Sequence, residues 1–107
     1  MESREEEGHQ VFKTAIQIKD TDHVATLTAS VSAGETVRVT GVAAGRTVVV
    51  RADMPAGHKI AVTAIADRAE IRKYGEIIGM ATAAIGLGDH VHVHNCRGLK
   101  GRRFETD

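Results

Sequence analysis

The sequence predicts an all-β domain of short strands and frequent turns. Three observations predict it. No stretch longer than about ten residues keeps apolar side chains at the i, i+3, i+4, i+7 spacing of a helix. β-Branched residues dominate the apolar positions, and they alternate with other residue types from Val11 to Ile18. A short turn-strand unit recurs through most of the chain: an apolar residue, Gly three positions on, and apolar residues six and eight positions on.

The elements follow in order. Residues 1–9 are rich in Glu and read as a disordered acidic tail. In the first strand, Val11, Lys13, Ala15 and Gln17 share one face, and Phe12, Thr14, Ile16 and Ile18 share the other. Asp20-Thr21-Asp22-His23 is a turn cluster. Val24 to Thr28 reads as a second strand. The recurring unit then begins at Val31, Val42, Met54, Ile65 and Ile85, with Gly34, Gly45, Gly57 and Gly88 in the turn slot. Glycine accepts positive φ there and reverses the chain tightly. Arg68 occupies the slot in the fourth unit, which predicts a turn of a different type. A spacing this short suits turns of one barrel or clip and not a solenoid. The domain is placed at 10–96, and residues 97–107 form a basic tail, either solvated or a docking arm.

Composition narrows the function classes. The 107 residues make one domain. Lys+Arg and Asp+Glu number 14 each, so the net charge is zero. That argues against a nucleic-acid binder or a polybasic membrane-surface protein. No apolar run approaches the roughly 18 residues of a membrane span. The N-terminus lacks a secretory h-region, so a cytoplasmic protein is expected. Cys96 is the only cysteine, which excludes an internal disulfide and a multi-cysteine zinc cluster. Aromatics are 3%, so Val, Ile and Ala must fill the interior. A second chain, or a second copy of this one, would supply extra burial.

Chemistry concentrates in Asp89-His90-Val91-His92-Val93-His94-Asn95. On a continuous strand, His90, His92 and His94 share one face and Val91 and Val93 point into the core. Same-face neighbours lie roughly 6.6 Å apart, close enough for two imidazoles to converge on a metal or an anion. No carboxylate or cysteine at metal spacing accompanies them, so a complete metal site within this chain is not expected. His58 and Lys59 follow the turn 54–57, and Lys59 suits a carboxylate or phosphate. Tyr74 reads as a packing residue, Gly75 and Gly79 as turn or close-approach positions, and Cys96 as a small buried hydrophobe. Gly41 to Gly45 lacks the Lys-Ser/Thr ending of a phosphate loop.

Several motifs together resemble one family. They are Asp22-His23-Val24-Ala25-Thr26, Gly57-His58-Lys59, Lys73-Tyr74-Gly75-Glu76-Ile77-Ile78-Gly79 and His90-Val91-His92-Val93-His94-Asn95. In this order they resemble the SAF domain of altronate/galactarate dehydratases, over about residues 11 to 103. The resemblance implies a β-clip fold and a separate small subunit, inactive alone. Its partner would be a large catalytic subunit that holds most of a divalent metal site, typically Fe(II). The implied reaction is β-elimination of water from a sugar acid such as altronate, giving a 2-keto-3-deoxy acid. It implies catalytic roles for His90, His92 and His94, and substrate binding for His58, Lys59, Lys73 and Asn95. The small subunit of a sulfolactate sulfo-lyase is the alternative within the same architecture. A non-catalytic SAF module that binds a carbohydrate or a protein is the alternative outside it. Two positions depart from the family pattern: Arg68 replaces a glycine, and Cys96 an aliphatic residue. The basic ending at Gly98, Lys100, Gly101 and Arg102 favours sugar acids over sulfolactate.

Overall fold

The computed structural model describes residues 12–42 and 45–98. Residues 1–9, Val11 and the tail beyond Gly98 lie outside the described residues. The described residues form nine strands and no helix. The strands are β1 (Lys13–Gln17), β2 (Val24–Leu27), β3 (Thr36–Gly41), β4 (Arg46–Val49) and β5 (Lys59–Ala61), then β6 (Glu70–Lys73), β7 (Glu76–Ala81), β8 (His90–Val91) and β9 (Cys96–Arg97). Six make a curled sheet in the order β4-β3-β1-β2-β5-β8, and three make a small sheet, β6-β7-β9. Only the β1–β3 pair is parallel, from Lys13 opposite Val37 to Gln17 opposite Gly41. Arg97, placed in the tail by sequence, pairs with Met80 in β9.

The recurring sequence unit is a real structural device. Val31 bridges Met54, and Ile65 bridges Ile85. After each bridging residue the chain turns through a left-handed residue: Gly34 (φ 91°), Gly57 (φ 88°), Arg68 (φ 72°) and Gly88 (φ 85°). The turns interlock in pairs. Gly34 N–H donates to Val50 O, four residues before Met54, and Gly57 N–H donates to Leu27 O, four before Val31. Arg68 donates to Ala81 O, four before Ile85, and Gly88 to Ala61 O, four before Ile65. All four bonds measure 2.8–2.9 Å.

Two expectations change here. Arg68 makes the same turn as the three glycines and not a different one, because the crossed bond dictates the backbone whatever the side chain. The unit at Val42 is not one of the set. It is the hairpin between β3 and β4, and Val42 is exposed, with no bridge partner among the described residues.

The core has two parts that share a wall. Leu27, Val37, Val39, Val50, Met54 and Ile60 anchor the first. Val24, Ala61, Ile65, Ile71, Ile85 and Val91 form most of the second. Strands β2 and β5 supply both clusters, so each is buried on its two faces; strand alternation sends Val24 and Ala61 one way and Ala25 and Ile60 the other. In β1 the less apolar face turns inward. Ala15 and Gln17 are buried, whereas Ile16 and Ile18 stay about 40% exposed. Burial of Gln17 is tolerated because its amide donates to Lys19 O at 2.9 Å.

Arg68 carries a backbone conformation that costs an L-residue about 1 kcal/mol and costs glycine almost nothing. Arg68→Gly is therefore expected to raise stability by up to about 1 kcal/mol in denaturant titration. Gly88→Ala is expected to lower it by about 2 kcal/mol or more, since its Cβ would strike Val49 O at positive φ. A destabilised Arg68→Gly variant would refute the equivalence of the four turns.

Candidate functional site

Two of the interlocked turns deliver the histidines. The turn after Met54 closes when His58 N–H donates to Pro55 O, and β5 starts at the next residue. The turn after Ile85 closes on Asp89, and β8 starts at His90. Strands β5 and β8 pair with Ile60 opposite His90 and Lys59 opposite Val91. Continued by one residue, that register sets His58 opposite His92 and diagonal to His90.

The histidine strand is shorter than its spacing predicts. β8 ends at Val91, and residues 92–95 turn. Asn95 makes the turn: its Oδ1 accepts from His92 N–H at 3.0 Å and its Nδ2 donates to His90 O at 2.8 Å. The backbone N–H groups of Asn95 and Cys96 both donate to His92 O. Val91 is fully buried as predicted, but Val93 is 82% exposed and does not enter the core. The turn carries it outward.

The turn also changes which imidazoles meet. His58 Nδ1 lies 2.8 Å from His90 Nε2, a hydrogen bond whose direction follows the tautomer. The His58 and His92 rings stack at 4.6 Å, and His90 and His92 at 5.3 Å. Ligand nitrogens of His58, His90 and His92 all lie within 4.8 Å of one another. His94 sits beside them, its ring 5.4 Å from that of His90, without joining the convergent three. Sequence spacing grouped His90, His92 and His94; the fold exchanges His94 for His58.

A cavity of about 350 Å³ opens next to the histidines, lined by Lys59, Lys73, Ile78, His92, Val93 and Cys96, with Gly98 at its edge. Lys59 is half-buried. Burial, then the nearby Lys73 ammonium, lowers its pKa below the ordinary lysine value. Burial and the neighbouring cations lower His90 as well, and His92 likewise. Both imidazoles therefore favour the neutral form, which binds metal or accepts a proton. Burial pushes the Cys96 thiol up, which suits a small packing residue against the second core and not a nucleophile. Thr26, opposite Lys59 in register, keeps a buried hydroxyl with no hydrogen-bond partner among the described residues.

The chain has counterparts among known proteins. Residues 13–99 match the family model of the altronate/galactarate dehydratase SAF domain. The chain belongs to that family. It is 44% identical over 82 residues to altronate dehydratase of Escherichia coli (strain K12), covering 77% of this chain and 16% of that enzyme. It is 36% identical over 86 residues to the Bacillus subtilis (strain 168) altronate dehydratase, again 16% of that protein. Over 47 residues it is 43% identical to the (2R)-sulfolactate sulfo-lyase subunit alpha of Paracoccus pantotrophus, covering 44% of this chain and 70% of that subunit. The chain thus spans about one sixth of the length of the dehydratases it matches.

Two residues of the SAF domain do more than their sequence context announced. Asp22 and His23 read as a turn and as part of a family motif, and in the fold they fasten the small sheet to the large one. The buried Asp22 carboxylate accepts N–H groups from Lys19 (3.1 Å), Tyr74 (2.9 Å) and Gly75 (2.8 Å). His23 Nδ1 accepts from Arg72 N–H at 2.8 Å, and His23 N–H donates to Arg72 O. These bonds hold the β6–β7 hairpin, whose two turn residues Tyr74 (φ 60°) and Gly75 (φ 79°) are both left-handed. Lys73 is thereby aimed at the cavity. Tyr74 is not the packing residue predicted: it is 52% exposed, because the hairpin needs a turn residue there, and its ring lies 4.5 Å beneath the Lys73 ammonium. Gly79 is a close-approach position, since a Cβ there would come within 2.5 Å of Arg97 O.

Burial raises the Asp22 pKa, but the N–H groups of Gly75, Lys19, Tyr74 and Ile18 outweigh it and hold it below the ordinary carboxylate value. Its contribution is therefore complete at neutral pH and is lost only as acid carries the folded protein down through that lowered value. Asp22→Asn is expected to cost about 2 kcal/mol at pH 7 and to flatten the acid limb of the stability curve. An unchanged acid limb would exclude this carboxylate as its source.

Metal affinity gives a second check. Three imidazoles leave a divalent ion's coordination incomplete, so the domain alone is expected to bind Zn²⁺ or Co²⁺ weakly by calorimetry. Replacing His58, His90 or His92 with Ala should remove that binding, and His94→Ala should not. Tight stoichiometric binding by the domain alone would refute the incomplete ligand set.

Proposed function

We propose that this SAF domain serves a metal-dependent hydro-lyase, acting with a larger catalytic chain to remove water from a sugar acid such as altronate. The product is a 2-keto-3-deoxy acid. One observation carries the reading: the convergent nitrogens of His58, His90 and His92 border a cavity that also holds Lys59 and Lys73. The 44% identity to a stretch of altronate dehydratase supports the dehydratase context.

The residues fit a transition metal. Imidazole donors suit iron or zinc and do not suit magnesium. Ligands about 2.1 Å from one ion lie about 3–4 Å apart, so the three rings need only a small adjustment. His58, His90 and His92 would hold the ion, with its other ligands coming from the partner. Such an ion supplies Lewis acidity to the substrate's carboxylate and hydroxyl oxygens. Lys59 and Lys73 bind the carboxylate and keep the acid oriented. His94, outside the convergent three, accepts or returns a proton during elimination. Asn95 acts as a positioning residue, because both ends of its amide hold the backbone that presents His90 and His92.

A second reading, a sulfolactate sulfo-lyase small subunit, is favoured by one observation. That relative is itself a short subunit, and 70% of it aligns here.

The test is dehydration of altronate with Fe(II), using this chain, a candidate large chain, and both together. Turnover in the mixture alone is expected. In that mixture His92→Ala should lower turnover by about tenfold or more without lowering the melting temperature by more than a few degrees. Sulfite release from sulfolactate, with no turnover of altronate, would select the lyase. Silence on both substrates would reject the enzyme reading in favour of a binding module.

A further inference from the structure

A second cavity has none of the histidines in its lining. It is an open groove of about 520 Å³, lined by Asp67, Arg68, Met80, Ala81, Thr82 and Arg97. The small sheet explains its position. Met80 pairs with Arg97 and Ala81 with Cys96, so alternation sends Ala81 and Cys96 into the second core and Met80 and Arg97 to the outer face. Strand β9 thus divides two sites: Cys96 faces the lysine cavity, and Arg97 faces the groove.

Three observations point to a ligand. The groove sets two guanidinium groups against one carboxylate, Asp67, beside the apolar Met80 side chain. The ion pairs among the described residues, Lys13–Glu35 and Arg51–Asp89, involve neither arginine. Arg68 holds φ 72° at a turn where Gly34, Gly57 and Gly88 occupy the equivalent positions, so its side chain is kept at a backbone cost that glycine would remove. A strained residue carrying a surface guanidinium is the mark of a functional constraint.

We infer that the Arg68–Arg97 groove docks an extended acidic segment of a partner polypeptide. Such a segment lies along the groove and presents carboxylates to the two guanidinium groups. Both arginines are solvent-facing, so affinity is modest and falls with salt. The inference does not depend on the dehydratase reading, since the groove's lining includes none of the histidines.

The probe is a hexaglutamate peptide, titrated at low salt into the isotope-labelled chain and followed by backbone amide shifts. Saturable shifts at Arg68, Thr82 and Arg97 are expected. Arg68→Gly and Arg97→Gln should each weaken binding by up to about fivefold, and the double variant should weaken it further. Arg68→Gly also relieves the backbone, so a loss of binding without a loss of stability separates docking from folding. Shifts centred on Lys59 and Lys73, or affinity unchanged in the double variant, would overturn the inference. Citrate binding with equal affinity at the same amides would overturn it too, making the groove a small-anion site.

Discussion

Four backbone hydrogen bonds hold this molecule in shape, each donated by a left-handed residue at a turn to a carbonyl that precedes the turn it crosses. Gly34, Gly57, Arg68 and Gly88 are the donors. Each bond satisfies a polar group that would otherwise be stranded at a chain reversal beside the core. Each also fixes where the following strand begins. The apolar bridging residues, Val31 with Met54 and Ile65 with Ile85, sit under the crossings and plug both cores. In a chain nearly without aromatics, tight interlocking of small β-branched side chains replaces bulk.

The site is an outcome of that framework. His58 comes from a turn of the first pair and His90 follows a turn of the second, and the β5–β8 register brings the two pairs together. The Asp22 carboxylate then fixes the small sheet, and with it Lys73, against the same edge. The rings, the two ammonium groups and the exposed Val93 therefore collect at one seam of the domain.

Much of this was legible in the chain. Alternation and recurrent glycines announced an all-β domain of short strands and turns, because period two and positive φ leave direct marks in sequence. The turn unit was visible in four true positions, although the unit at Val42 mimics it beside the β3–β4 hairpin. Spacing cannot distinguish those two uses of glycine. What differs is the partner across the crossing, which is a long-range fact. Histidine clustering was legible too, but the exchange of His94 for His58 was not. It depends on Asn95 closing a turn at His92 and on a strand register set about thirty residues away. Asp22 looked like an ordinary turn aspartate, since the N–H groups it serves at Tyr74 and Gly75 are distant in sequence. The two-residue β9 left no periodic signal at all.

The interlocked turns also have an evolutionary meaning. Counting five residues past each bridging residue gives Thr36, Lys59, Glu70 and His90, and each begins a strand in nearly the same backbone setting. The domain therefore offers four equivalent addresses on one frame. Two of them, Lys59 and His90, belong to the seam where the histidines and lysines gather. Thr36 and Glu70 are spare. A lineage could recruit them for a different substrate without disturbing the hydrogen bonds that make the frame, and a designer could do the same.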